Sequence, residues 1–263
     1  MRDKATGPVE AIERAVQVLD SFSVEQPELG VAEVARQLGL KRSTAHRALV
    51  SLEVSGLLRQ DPTTQKYALG PKVLLLAQVF QSHFSLPAVA LPAMRALRDR
   101  CNETVALHVL EDGKRSCVMQ VESRHDLRRI YQNLGASLPL HAGSPSKVLM
   151  AYMAEDEARA LLEAEGLERY TPVTIADLEQ YMGEMRDARR RGYAISLGEH
   201  SHGINSICAP IMDSRGMAVA AVNISGPQAR LTESRMLEYL PLLRETTTSI
   251  SRQLGFRTPG AGA

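Results

Sequence analysis

Hydrophobic positions in the first third of the chain recur with helical spacing in three successive segments. Apolar residues fall at i, i+3, i+4 and i+7, and these positions are Ile12, Ala15, Val16 and Leu19, then Val31, Val34, Ala35 and Leu38, then Ala45, Ala48, Leu49 and Leu52. Each segment therefore predicts a helix with one apolar face, and three such faces can close a small core. Gly39 stands between the second and third segments, where a left-handed residue would allow a tight turn. This spacing predicts a helix-turn-helix.

The pattern then changes to two short strand-like pieces on either side of residues 61–64, whose sequence Asp-Pro-Thr-Thr is typical of a turn. Three helices followed by a hairpin form a winged helix-turn-helix. We assign this domain to residues 1–70.

A continuous apolar segment follows, opened by Pro71, which suits the first turn of a helix. We interpret residues 71–88 as a linker helix. Its apolar residues cover more than one face, so a single chain cannot bury them all, and we expect them to contact a second chain. These residues are Val73, Leu74, Leu76, Ala77 and Phe80.

Period-two alternation begins at residue 104. Two strand-turn-strand patterns, with turns at residues 111–114 and 214–216, enclose a region of helical periodicity, and a further helix follows them. Antiparallel hairpins combined with helices predict an α+β domain, here over residues 89–256. The last residues, 257–263, are expected to be a disordered tail.

The amino-acid composition excludes fewer classes of function than the pattern of apolar and polar positions does. Lys and Arg total 31 against 30 Asp and Glu, so a nucleic-acid partner would require locally concentrated charge. Cys101, Cys117 and Cys208 lack metal-ligand spacing and are expected to be reduced, buried thiols. The charged first residues do not resemble a signal peptide, and the longest apolar run is too short to cross a bilayer. The sequence thus predicts a cytoplasmic protein without a membrane partner.

Basic residues are concentrated at the start of the third predicted helix. Positive charge there opposes the helix dipole, so it does not stabilise the helix, but it could bind phosphates. Ser43 is expected to cap this helix, while His46 and Arg47 are long enough to reach base edges in a major groove. The alternative is a face that merely contacts solvent. The predicted DNA contacts are Lys41, Arg42, Ser43, Thr44, His46 and Arg47, with Lys66 in the wing.

Several longer stretches resemble the IclR family of bacterial transcriptional regulators, from about residue 9 to about residue 255. They include "VAEVARQLGLKRSTAHRALVSLEVSGLL", "LPLHAGSPSKVLMA" and "RRRGYAISLGEHSHGINSICAPIMD". The resemblance implies a GAF-like C-terminal α/β domain that binds a small effector, commonly an organic acid. A single winged helix reads only a few base pairs, so affinity needs paired half-sites, and we expect a homodimer or dimer of dimers on a palindromic double-stranded DNA operator that controls a catabolic operon. The implied effector-binding residues are Leu127, Ile130, Leu138, Ser144, Pro145, Ser196, Ile204, Ser206, Asn223 and Ser225.

Two features of these residues fit a small anion. Ser144 can cap a helix that begins at Pro145, which would leave free amides for a carboxylate, although it could equally be a purely structural cap. Asn223 and Ser225 alternate along one strand and so share a face. The motif match places no Arg or Lys in the pocket, so selectivity would depend on amides and hydroxyls.

Catalytic chemistry has weaker support. Residues 199–202, Glu-His-Ser-His, resemble a metal cluster, but no third ligand stands at a recognisable spacing. Nucleophile and dinucleotide motifs do not occur. We therefore predict a protein that is not an enzyme and uses no metal or cofactor. The alternative function is a GAF-like small-molecule-binding or catalytic protein whose helix-turn-helix only contacts another protein.

Overall fold

The computed structural model describes residues 9–23, 25–83 and 85–256. The chain divides into two compact units, Met1–Phe84 and Ser85–Ala263. The expected tail at residues 257–263 and the side chain of Phe80 lie outside the described residues. No described helix is long and apolar enough to cross a membrane.

The first unit is a winged helix-turn-helix, as the sequence predicts. Its helices are α1 Glu10–Asp20, α2 Val31–Gln37, α3 Arg42–Val54 and α4 Pro71–His83. Its strands β1 Glu28–Leu29, β2 Leu58–Gln60 and β3 Tyr67–Leu69 form an antiparallel sheet in the order β1-β3-β2. Strand β1 has only two residues, too few for an alternating pattern, so sequence analysis did not find it.

The buried face of α1 differs from the predicted one. Ile12 and Val16 are 64% and 50% exposed, whereas Val18, outside the predicted stripe, is completely buried. Ala15 and Leu19 pack against the core beside Val18. The helix is therefore rotated so that the Val18 side, rather than the Ile12 side, faces α3 and the core. Periodicity indicates that an apolar face exists, but α1 carries more apolar residues than one face can bury.

The second unit is an α+β domain, also as predicted, built on a six-stranded antiparallel sheet. Its helices are α5 Leu86–Cys101, α6 Ser144–Met150, α7 Glu155–Glu165, α8 Leu178–Arg191 and α9 Glu233–Gln253. Its strands are β4 Thr104–Glu111, β5 Lys114–Val121, β6 Ser137–Leu138, β7 Ala194–Leu197, β8 Ile204–Met212 and β9 Ala218–Pro227. The strand order is β6-β5-β4-β9-β8-β7.

The two faces of this sheet differ in chemistry. Val105 and Leu107 of β4 and Val222 of β9 point into an apolar layer with α5 and α9. Because successive strand residues point to opposite faces, His108 and Asn223 lie on the other side, towards α6 and α8. That second face combines apolar packing with buried polar groups, and it contains the candidate ligand site.

Candidate functional site

Helix α3 presents most of its basic residues to solvent. Lys41, Arg42, His46 and Arg47 are exposed and Thr44 is half-buried, while Ala45, Leu49 and Leu52 pack in the core. Within the described part of the chain, no carboxylate forms an ion pair with the three long cations of this face. The face is therefore free to bind an anionic partner.

The start of α3 differs from the prediction. The N-cap is Lys41, whose carbonyl oxygen accepts hydrogen bonds from the Thr44 and Ala45 amides at 2.9 and 3.0 Å. Ser43 lies inside the helix and makes no capping bond, so the prediction that it caps α3 is wrong. Gly39, with φ of 63°, ends the turn after α2 and lets the chain enter α3 two residues earlier. Ser43 stays exposed on the same face as Arg42 and Arg47.

The wing residue Lys66 has a partner within its own unit. Its Nζ lies 3.8 Å from Oε2 of Glu33, and the same oxygen accepts a 2.7 Å hydrogen bond from the Gly30 amide at the start of α2. That hydrogen bond is the main reason why the pKa of Glu33 lies below its ordinary value, with Lys66 and Arg36 adding to the shift. Lys66 borders an open cleft with Arg42, Ser43 and His46. A phosphate would have to compete with Glu33 for it.

The second unit contains a small cavity near the start of α6. Six of the ten predicted effector residues line it, and they are Leu138, Pro145, Ser196, Ile204, Ser206 and Ser225. Sequence analysis missed the other lining residues, which are Arg115, Arg129, Tyr131, Ala142, Gly143, His200 and Ser201. The cavity has a volume of about 30 Å³, enough for about one or two water molecules.

The remaining four predicted effector residues lie elsewhere. Leu127 and Ile130 are 71% and 38% exposed and do not line the cavity. Asn223 is completely buried behind it, and its Nδ2 donates a 3.0 Å hydrogen bond to the hydroxyl of Tyr131. The Ser144 hydroxyl lies 2.7 Å from that of Ser206. Asn223 and Ser144 therefore do not line the cavity, but each contacts a residue that does.

Ser144 does not cap α6, contrary to the prediction. The N-cap is Gly143, and Ser144 is the first helical residue. Gly143 has a φ of 101°, a backbone conformation that is strained for any residue with a side chain. The Ser144 hydroxyl is directed to Ser206 instead. Moreover, every residue of this seven-residue helix is buried, and the Gly143 amide donates a 3.4 Å hydrogen bond to Glu199. The helix start borders the cavity through Gly143 and Pro145, but the Gly143 amide already has a partner and Pro145 has no N–H to donate.

Arg115 and Arg129 correct the prediction that the pocket contains no cation. Arg115 is only 3% exposed. Its Nε donates to the Pro139 carbonyl at 2.9 Å, and one terminal nitrogen donates to the Ala142 carbonyl at 3.3 Å. The Arg129 guanidinium stands 4.7 Å from the ring centre of Tyr131. Arg115 follows the hairpin turn directly, so its sequence position is typical of an exposed turn residue, and only the fold reveals its burial.

Within the described part of the chain, the buried Ser225 hydroxyl on this face lacks a hydrogen-bond partner. His108 and Asn223 are also buried on this face, where their side chains interact with each other. Burial lowers the pKa of His108 well below its ordinary value. Burial, and then the charges of Arg115 and Arg129, lower the pKa of His200 to about 4. Both imidazoles are therefore neutral at pH 7, and the arginines provide the positive charge.

The segment that resembled a metal cluster has a different role. Glu199 Oε1 lies 2.7 Å from Nζ of Lys147, which is 2% exposed and also contacts Glu184 at 3.1 Å and the Ile195 carbonyl at 3.3 Å. His200 lines the cavity and His202 is exposed. The described residues contain no group of three or more His, Cys, Asp or Glu side chains that could hold a metal ion. Glu199 thus neutralises a buried lysine.

Comparison with known proteins matches both units to the same family. Residues 11–62 match the model of the IclR helix-turn-helix domain, and residues 78–252 match that of the C-terminal domain of the bacterial transcriptional regulator IclR. The second match alone covers more than half of the chain.

Individual relatives match along nearly their whole length. The transcriptional repressor AllR of Escherichia coli K12 is 31% identical over 248 residues, which are 94% of this chain and 91% of AllR. The repressor BlcR of Agobacterium tumefaciens, known from a crystal structure, is 28% identical with a TM-score of 0.76, over 96% of this chain and 100% of that one. An IclR homologue from Microbacterium hydrocarbonoxydans, crystallised with 4-hydroxybenzoate, is 27% identical with a TM-score of 0.59, over 94% and 99% of the two chains.

Proposed function

The chain belongs to the IclR family of bacterial transcriptional regulators, and from this premise we propose that a small organic acid in the C-terminal cavity alters the affinity of the N-terminal unit for operator DNA. DNA binding and effector binding are properties of this regulator family, which is not enzymatic. The alternative, a GAF-like protein whose helix-turn-helix only contacts another protein, does not fit this membership.

The observation that carries the DNA-binding part of the proposal is the exposed, unpaired basic face of α3. Lys41 and Arg42 would contact phosphates, together with Ser43 and Thr44, while His46 and Arg47 would reach base edges in the major groove. Lys66 would join them once a phosphate displaces Glu33. We expect binding to weaken steeply with salt, because each neutralised phosphate releases counterions.

We propose further that the operator is palindromic and that the protein binds it as a homodimer or as a dimer of dimers. A single helix-turn-helix reads one half-site, so paired half-sites are needed for affinity. The apolar side chains of Leu74, Leu75 and Leu76 on α4 are 65%, 60% and 54% exposed, which supports a contact between chains. We expect a cytoplasmic protein that controls a catabolic operon.

For the effector, the cavity favours a small organic acid. Arg115 and Arg129 supply positive charge, Ser225 an unpaired hydroxyl, and Leu138 and Ile204 apolar surface. The relative crystallised with 4-hydroxybenzoate supports this class of ligand. An aromatic acid needs more room than the present cavity offers, so binding would displace part of the segment 122–136, which carries Arg129 and Tyr131. Such a movement would couple binding to the rest of the chain.

An electrophoretic mobility shift on the DNA upstream of the protein's own gene tests the proposal, with and without a panel of carboxylates. We expect a salt-sensitive complex whose stability one carboxylate changes. Asn223→Ala and Ser225→Ala should weaken the response to that carboxylate and leave effector-free DNA binding intact. A chain that binds neither this DNA nor any palindrome selected from random duplexes would contradict the DNA-binding proposal. Parent-like responses of both variants would place the effector site elsewhere.

A further inference from the structure

We propose that Arg115 is the specificity-determining residue of the effector site, because its guanidinium binds the carboxylate of the effector as its counter-ion. This inference rests on the proposed function, since it refines the chemistry of the same cavity. It replaces the start of α6 as the anion-binding group. It predicts that acids, and not their neutral amides, act as effectors.

Arg115 is a buried cation without a carboxylate partner among the described residues. The side chain is 3% exposed, and within the described residues no carboxylate lies within 4.0 Å of its nitrogens. By contrast, Lys147, which is also buried in this unit, contacts two glutamates. A buried charge without a counter-ion is strongly unfavourable. The contrast indicates that the counter-ion of Arg115 comes from outside the chain.

Within the described part of the chain, the side chains around Arg115 do not supply the missing negative charge. Those that interact electrostatically with it include Tyr131, Tyr181, Cys117 and Cys208, none of which is a carboxylate. Burial raises the pKa of Cys117 to about 11 and that of Cys208 well above its ordinary value, so neither thiol supplies a negative charge. Arg129, which borders the same cavity, adds positive charge. The field in the cavity therefore favours an anion.

The position of the guanidinium is also fixed in advance. Its bonds to the Pro139 and Ala142 carbonyls hold Nε and one terminal nitrogen, whereas a guanidinium has five N–H donors. Because Arg115 lines the cavity, a ligand oxygen can approach it there. Preorganised donors of this kind lose little entropy when they bind a ligand.

A second group is available for the same anion. The Ser225 hydroxyl is buried, lines the cavity and has no hydrogen-bond partner among the described residues. A carboxylate has two oxygens, each of which accepts more than one hydrogen bond. One carboxylate could therefore satisfy both the arginine and the serine. Ser206, in contrast, already pairs with Ser144.

The competing explanation is that Arg115 only braces residues 139–142 through its two bonds to carbonyls. The two roles differ in their response to substitution. A brace stabilises the protein whether or not a ligand is present. A buried cation that waits for a ligand destabilises the free protein, so replacing Arg115 should leave the stability of the free protein unchanged or raise it. The same replacement should abolish stabilisation by acids.

The experiment compares acids with their amides on the full-length chain. Acetate, pyruvate, benzoate and 4-hydroxybenzoate, each with the corresponding amide, are titrated by calorimetry and by thermal shift into the parent, Arg115→Gln and Arg115→Lys. Arg215→Gln is the matched control, because Arg215 is an exposed hairpin residue with a side chain 78% exposed. We expect at least one acid to bind the parent and the control at least tenfold more tightly than its amide, about 1.4 kcal/mol.

In Arg115→Gln the preference for the acid over its amide should disappear. Without acids, the thermal unfolding midpoint of this variant should equal or exceed that of the parent. Arg115→Lys should keep part of the preference, because the charge remains while the fork geometry is lost. The inference is overturned if no acid of the panel binds the parent, if Arg115→Gln retains the preference, or if it only lowers the midpoint. Mobility shifts on the upstream DNA separate the proposals. If DNA binding is intact and an acid binds the parent, a retained preference or a merely lowered midpoint in Arg115→Gln refutes the role of Arg115 alone. If DNA binding is intact but no acid of the panel binds the parent, the organic-acid effector is refuted together with the role of Arg115.

Discussion

At the scale of the residue, exposure separates side chains that maintain the fold from those that can bind a partner. Ala45 and Arg47 stand two positions apart on α3, yet the first is completely buried and the second exposed. Lys147 and Arg115 are both buried cations, but only Lys147 contacts carboxylates. The neighbours of a residue, more than its type, therefore determine its role.

Arg47→Ala should reduce binding to the specific operator by about 1–3 kcal/mol if Arg47 contacts a base edge. Fluorescence anisotropy on operator and random duplexes at one salt concentration measures the effect. Arg95→Ala, an exposed arginine on α5 of the other unit, is the control and should bind like the parent. Equal losses on operator and random DNA would show that Arg47 contacts only phosphate.

His200 should make the second unit less stable in acid. Its folded pKa is about 4, against about 6.5 in the unfolded chain. Between these values the unfolded chain binds more protons, so the free energy of unfolding falls as the pH falls from about 6.5 to about 4. His108, whose pKa is also lowered, acts in the same direction.

Denaturant unfolding at several pH values should therefore show a shallower pH dependence for His200→Gln than for the parent. His202→Gln is the matched control, because this neighbouring histidine is exposed. Identical pH dependences of His200→Gln and the parent would rule out the proposed linkage.

At the scale of the element, boundaries are set by local chemistry where a cap or a turn is present and by packing elsewhere. Helix α8 begins where the Asp177 side chain accepts a 2.8 Å hydrogen bond from the Gln180 amide, and β4 and β5 join at Gly113, with φ of 71°. Helix α6 has no side-chain cap at its start, where Gly143 bonds to Glu199 and Ser144 to Ser206. Its first residue could not be read from local sequence.

Gly70 lies at the boundary between β3 and α4, where the backbone packs closely against Gly56 and Leu58. A Cβ there would overlap the Gly56 carbonyl oxygen and stand 3.0 Å from the carbonyl of Leu58. Gly70→Ala should therefore destabilise the first unit by about 1–3 kcal/mol and weaken DNA binding, while acid binding to the second unit stays unchanged.

Thermal unfolding and anisotropy measure these two effects. Gly183→Ala in α8 is the control, since a Cβ there meets no atom within 4 Å and Ala is the better helix former by about 0.5–1 kcal/mol. A Gly70→Ala protein as stable as the parent would show that the wing can shift to make room.

At the scale of the whole molecule, the question is how chains associate. Helix α4 directly follows the wing and exposes the side chains of Leu74, Leu75 and Leu76. The double variant Leu74→Glu, Leu75→Glu should lower the number of subunits in sedimentation, because charges cannot be buried in an apolar contact. Val54→Glu, at an apolar position 84% exposed on α3, should sediment like the parent. An unchanged subunit number in the double variant would place the contact elsewhere.

The helix that carries the basic face and the two long hairpins could be predicted from the sequence, whereas the two-residue strands β1 and β6 could not. Helical spacing around Ala45 and Leu49, and alternation on either side of Gly113, are local properties that each element carries within a few residues. The resemblance to the IclR family, likewise contained in the sequence, added six residues that do line the cavity.

The charge of the cavity and the partners of its buried groups depend on contacts between segments that are distant in the sequence. Lys147 and Glu199 lie 52 positions apart, and Arg115 meets the Pro139 and Ala142 carbonyls across the sheet edge. In the same way, the packing of α1 selected Val18 rather than Ile12 for the core. Burial and pairing depend on which distant segments meet, and a local pattern does not contain that information.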